Sequence, residues 1–162
     1  MERSYEFEKF FILIVRLNTE LSYIYVSFKG SDIVGVFDRL VKAVTGIETF
    51  IEQDNGNKFM LDERLGYIHS CPTNLGTGMR ASVHIKLPGW TKEGIDELRN
   101  RCTELSLQCR EISDEEGDSE EIAYDITNKN RLGYSEVEII QCVIDGINTL
   151  YKEDLELQAK HE

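Results

Sequence analysis

"CPTNLGTGMRASVHIKLP" runs from Cys71 to Pro88, and its second half decides the fold. In residues 80–87 the apolar Ala81, Val83, Ile85 and Leu87 alternate with Ser82, His84 and Lys86. Period-two alternation marks a strand with one face on a core and the other polar. The first half reads as a loop. Pro72 restricts Cys71 to extended or turn geometry. Gly76 and Gly78 permit sharp turns or close approach to a ligand. Thr73 and Asn74 offer a hydroxyl and an amide near the Cys71 thiol, and hydrogen bonds of that kind favour the thiolate. A core segment has no use for this order; a site that holds a reacting group beside a polyanion does.

Working outward, residues 10–17 and 23–28 are rich in β-branched and aromatic types, with "NTELS" between them, and read as strand, turn, strand. Ser31 and Asp32 are helix-capping residues. After them Ile33, Phe37, Leu40, Val44, Ile47 and Ile51 recur every three or four positions, an amphipathic helix. A strand is expected over 65–70. Pro88-Gly89 ends the strand of the opening stretch, and Thr91 is a capping candidate for a helix in which Ile95, Leu98, Cys102 and Leu105 share a face. Residues 107–112 and 122–127 read as short strands. Between them "SDEEGDSEE" holds six acids in nine residues, a solvated and mobile loop. Ser135-x-x-Glu138 is a capping box that opens a last helix with the stripe Val137, Ile140, Ile144, Ile147 and Tyr151. Strands and helices mix without strict βαβ alternation. The expected class is α+β, an antiparallel sheet with helices on one face.

The bulk composition narrows the function. With 162 residues there is one domain with a real core. A net charge of −12 argues against nucleic acid and against an anionic membrane surface. A small anion such as a nucleotide needs only a few local arginines. Cys71, Cys102, Cys109 and Cys142 contain no CxxC pair, so no metal site is expected. "FFILIV" is too short to span a bilayer and no secretory signal is evident, which predicts a cytoplasmic protein with reduced thiols.

Several residues admit a chemical role beside a bland one. A lone cysteine is more often a buried small hydrophobe than a nucleophile, and Cys71 is weighed against that. Arg80, between loop and strand, is either a solvated charge or a guanidinium aimed at phosphate oxygens. Arg110 closes a short strand beside the acidic loop, so the two arginines together suggest a phosphate clamp. His84 is a satisfied sheet histidine or a ligand contact. The acidic loop is a solvated surface or a lid carrying a carboxylate to a cationic substrate.

The stretch Cys71–Pro88 closely resembles the signature of the phosphagen kinases, the ATP:guanidino phosphotransferases. "KGSDIVGVFDRLVKAV" (29–44) resembles the helix after that family's catalytic strand, and "YDITNKNRLGYSEVE" (124–138) the segment after its flexible loop. The resemblance implies part of a glutamine-synthetase-like catalytic domain over residues 29–155, a divergent two-stranded segment at 1–28 and a tail at 156–162. It implies reversible transfer of the ATP γ-phosphoryl group to a guanidino acceptor, a reaction that is mostly alignment plus charge stabilisation. Cys71 is then the reactive cysteine that orients the guanidinium, and Glu115 a carboxylate that pairs with it. Arg80, Ala81, Ser82, Val83 and His84 form a nucleotide-contacting strand, with Arg110 a second phosphate arginine. Magnesium arrives on the nucleotide. "CPTN" rather than "CPSN" leaves arginine and taurocyamine as acceptors. A protein-arginine kinase of bacterial type shares "CPTNLGTG", but the 124–133 match favours the small-molecule branch.

One departure stands out. The family's catalytic strand reads close to "NEEDHLR", whereas this chain has "NTELSYIYVSF" (18–28): aligned without a gap, Thr19 and Tyr23 take the functional places, and only with one residue deleted does Glu20 stand in for the glutamate. The alternative reading is therefore a non-catalytic pseudo-enzyme or fragment that keeps partial nucleotide binding or pairs with a full-length kinase. A half sheet also predicts self-association through an exposed edge.

Overall fold

A computed structural model describes residues 9–17, 21–28, 32–112 and 122–160, the first two stretches by their backbone alone. The chain begins with strands β1 (Lys9–Leu17) and β2 (Leu21–Phe28), then helix α1 (Ile33–Asn55) and the short strands β3 (Leu61–Asp62) and β4 (Gly66–Tyr67). Strand β5 (Met79–Lys86) leads into helices α2 (Pro88–Glu93) and α3 (Ile95–Glu104). Strands β6 (Leu107–Ile112) and β7 (Ala123–Asn128) precede helix α4 (Glu136–Lys160). Among the described residues, one sheet runs β2-β1-β5-β7-β6 with every neighbouring pair antiparallel.

Strand β5 sits in the middle of that sheet, and its alternation builds both faces. Met79, Ala81, Val83 and Ile85 point into the core. There they meet Val36 and Leu40 of α1, Leu98 of α3, and Ile139, Val143, Ile147 and Leu150 of α4. The α+β class and the one-sided helical layer are thus as the sequence predicts. Strand β7 alternates in the same way, with Tyr124 and Ile126 in the core and Asp125 on the other face. The Tyr124 hydroxyl finds Thr91 Oγ1 at 3.0 Å, as a buried phenol requires.

Caps set the helix ends. Asp32 accepts the Gly35 N–H at 2.9 Å, and Gly56, at φ 71°, closes α1 in the left-handed conformation. The capping box forms in full: Ser135 N–H donates to Glu138 at 2.7 Å, and Glu138 N–H donates to Ser135 Oγ at 3.3 Å. That Ser135 N–H, and next the Ser135 hydroxyl, which donates to Glu138 Oε2 at 2.8 Å, hold the Glu138 carboxyl below its usual range.

Four local readings change. The strand expected over 65–70 shrinks to the two residues of β4, paired with β3 in a small separate hairpin. The single helix expected after Pro88 is two, broken at Gly94 with φ 107°. Thr91 lies inside α2, where its hydroxyl donates to the Leu87 carbonyl at 2.9 Å instead of capping. The α4 stripe keeps Ile140 and Ile147 in the core but loses Val137, which is 63 % exposed, and takes in Ile139, Val143 and Leu150.

Candidate active site

The cysteine loop follows its sequence closely. Cys71 has φ −105° and ψ 120°, the extended geometry imposed by Pro72, and Pro72–Asn74 form one 3-10 turn. The thiol is exposed. Its Sγ lies 3.0 Å from Thr73 Oγ1. That hydroxyl first, and then the Thr73 backbone amide, pull the Cys71 pKa below the usual thiol range; burial opposes them, and the charge of Arg131 adds a smaller pull in the same direction. Gly76 (φ 101°) and Gly78 (φ 63°) turn the chain from the loop into β5. At Gly76 even a methyl group is excluded, because a Cβ there would lie 2.2 Å from the Arg131 carbonyl oxygen.

Beyond the loop, the polar face of the sheet carries a row of charge. Residues directly opposed in antiparallel strands share a face, and His84 and Arg110 both stand opposite Asp125. Arg80 Nη2 donates to Asp125 Oδ2 at 2.6 Å. The Ser82 hydroxyl donates to Asp125 Oδ1. His84 Nε2 lies 3.9 Å from the same oxygen. Arg110 is exposed, and among the described residues it makes no ion pair. Asp125 is thus a largely sheltered carboxylate between cations from two neighbouring strands.

Asn128 joins row and loop. Its side chain accepts the Ala81 N–H at 2.8 Å and donates to the carbonyls of Met79 at 3.2 Å and Asn130 at 2.9 Å. The turn that follows brings Arg131 against the cysteine loop, where Nη1 donates to the Thr73 carbonyl at 3.0 Å. Partial burial, and next the repulsion of Arg80, lower the Arg131 pKa.

Of the residues expected from sequence, Cys71, Arg80, Ser82, His84 and Arg110 occupy this loop and this sheet face. Ala81 and Val83 turn their side chains into the core. Glu115, Glu20 and the acidic loop lie outside the described residues. Sequence reasoning did not single out Asp125, Asn128 or Arg131. The alternation of "AYDITN" puts Asp125 on the face opposite Tyr124, but only the β5–β7 register sets it beside Arg80 and His84. Arg131 has no local signal, since its partners are more than fifty positions away.

Among the described residues, no cluster of three or more histidine, cysteine or acidic side chains is suited to a metal ion. The donor set instead suits phosphate oxygens: two guanidinium groups and an imidazole on one rigid sheet face.

Comparison with known proteins gives a consistent answer. The profile described as "ATP:guanido phosphotransferase, C-terminal catalytic domain" matches residues 11–157, from within β1 through all of β2 to α4. The chain is 40 % identical over 129 residues to arginine kinase of Stichopus japonicus, covering 80 % of this chain and 34 % of that protein. It is 40 % identical over 131 residues to the testis isozyme of creatine kinase from Oncorhynchus mykiss, covering 80 % and 33 %. The chain therefore spans about a third of the length of these curated relatives. The crystal structure of lombricine kinase superimposes with a TM-score of 0.73 at 35 % identity, over 85 % of this chain and 37 % of the other. Profile, identity and fold agree that this chain belongs to the ATP:guanido phosphotransferases and carries their C-terminal catalytic domain.

Proposed function

We propose that the chain binds MgATP along the polar face of β5, β7 and β6 and takes part in reversible transfer of its γ-phosphoryl group to a guanidino acceptor. The observation that carries this reading is the junction itself. A thiolate-favouring cysteine and a cationic row meet at one loop and strand, and Arg131, which donates to the Thr73 carbonyl of that loop at 3.0 Å, adds a further guanidinium there. In this reading Arg80 and Arg110 hold phosphate oxygens and neutralise charge that grows in the transition state. His84 lies towards the base. Ala81 and Val83 anchor the strand in the core and so turn Arg80, Ser82 and His84 outward. The Cys71 thiolate orients the cationic acceptor, and Glu115 pairs with it from the acidic loop. Magnesium is carried by the nucleotide.

The acceptor class is a small guanidino compound, with arginine and taurocyamine the sequence-based choices. The relatives are named for arginine, creatine and lombricine, so their names do not select one.

The test is calorimetric titration of the chain with MgADP, beside an Arg80→Ala variant. Saturable binding is expected, weakened by about tenfold to a hundredfold in the variant, the usual worth of hydrogen bonds to a charged group. A folded chain that shows no binding overturns the reading and leaves a non-catalytic member of the family. Equal affinity in the variant leaves Arg80 as the structural partner of Asp125 alone.

A further inference from the structure

Arg131 holds the cysteine loop at two points. Its Nη1 donates to the Thr73 carbonyl at 3.0 Å, two residues beyond Cys71. Its own carbonyl accepts the Thr77 N–H at 3.2 Å, on the far side of the same loop. Gly76 lies against that carbonyl so closely that no side chain fits between. One residue thus clasps the segment 73–77 by its side chain and by its main chain.

The guanidinium is also electrostatically uncommitted. Among the described residues no carboxylate forms an ion pair with Arg131, and its buried Nε has no hydrogen-bond partner. The neighbouring cation, Arg80, is already neutralised by Asp125 at 2.6 Å. The charged groups that bear on Arg131 are Arg80, which repels it, and Cys71, which attracts it as thiolate. Among the described residues, Arg131 is the charged side chain that bears on the Cys71 thiol.

We infer that Arg131 is the positioning residue of the reactive cysteine: it fixes the loop that presents Cys71 and adds a counter-charge that favours its anionic sulfur beside the Thr73 hydrogen bonds. It does not touch the reacting atoms; it acts through Cys71. The inference deepens the proposed reading, since it gives the thiolate of that reading a partner. Its test does not depend on nucleotide binding or on turnover.

Alkylation by iodoacetamide reads the thiolate directly, because the thiol form is inert. The rate at Cys71 is followed by peptide mass spectrometry as a function of pH, with Cys71→Ser as the blank. The sign is fixed. A nearby cation favours the thiolate and extends it to lower pH, so losing the cation moves the midpoint upward. Arg131→Gln should raise the midpoint and slow alkylation on the acid side by about threefold or more, as expected for a charge held on the same loop in partly aqueous surroundings. Arg131→Lys, which keeps the charge and loses the fork, should return the midpoint most of the way.

An unchanged midpoint in Arg131→Gln overturns the counter-charge. A midpoint raised equally by Gln and Lys overturns it too, because geometry alone would then account for the shift. If the variants fail to fold, the unaltered chain still decides. Raising salt from about 0.01 M to about 1 M screens a pair whose sulfur is exposed and should move the midpoint upward. A salt-independent midpoint would count against the inference as firmly as a silent substitution.

Discussion

Asp125 is the residue on which the cationic row turns. It accepts from Arg80 and Ser82 and stands near His84, with most of its carboxylate sheltered. A sheltered carboxylate with a guanidinium partner is strongly coupled: removing one member leaves the other desolvated and unpaired. Arg80 keeps about a third of its side chain in water, which reduces that cost. Asp125→Asn should therefore destabilise the fold by about 1–2 kcal/mol in urea denaturation. It should also free Arg80 from its internal anion, so MgADP affinity should rise or hold while stability falls. A loss of both would mean that Asp125 itself contacts the ligand. The sequence made part of this site legible. Pro72, Gly76 and Gly78 announce a strained turn, and the period-two pattern of β5 announces which residues point outward. It could not announce Asp125, because a carboxylate finds its partners across a strand pair and no single segment encodes the register of that pair.

At the scale of elements, the signals that held were those with a local mechanism. The Ser135 and Glu138 capping box is one. It satisfies two backbone donors reciprocally at the start of a 25-residue helix that fills the core. Ser135→Ala should cost about 1 kcal/mol, seen as a lower urea midpoint without a change in slope. A neutral result would place the helix start elsewhere. The signals that slipped depended on tertiary packing. The α4 stripe read from sequence opens at Val137, which is exposed, while its Ile140 and Ile147 reach the core. The core face is wider than that stripe: it also takes Ile139, Val143 and Leu150, and Gly146 admits Leu107 to within 2.4 Å of where its Cβ would be. Helix α3 looked continuous with α2 because Gly94 alone carries little weight inside an amphipathic pattern. The backbone turns there to bring Leu98 and Cys102 over β5 and β6.

For the whole molecule, the balance of surface is unusual. The sheet ends at β2 and β6. Large apolar side chains stand in the open, with Val34 81 %, Phe50 69 % and Val137 63 % exposed. Against them stands a net charge of −12, which keeps copies apart at low ionic strength. Sedimentation across a concentration series should show reversible self-association that strengthens with salt, because screening removes the repulsion and leaves the apolar contact. A monomer at every concentration and salt would mean that neither edges nor apolar residues suffice. The polar and apolar alternation of β5 and β7 also bears on how this chain can change over time. In both strands every second residue belongs to the core and the others to the charged row, so a one-residue insertion or deletion exchanges the two sets at once. Such a lesion would bury Arg80 and Asp125 and expose Val83 and Ile126 in a single step. A scan of single-codon deletions should therefore find 79–86 and 123–128 intolerant from end to end, whereas point substitutions there are graded by which face they touch. The reading frame of these two strands is under stricter constraint than the identity of most residues in them.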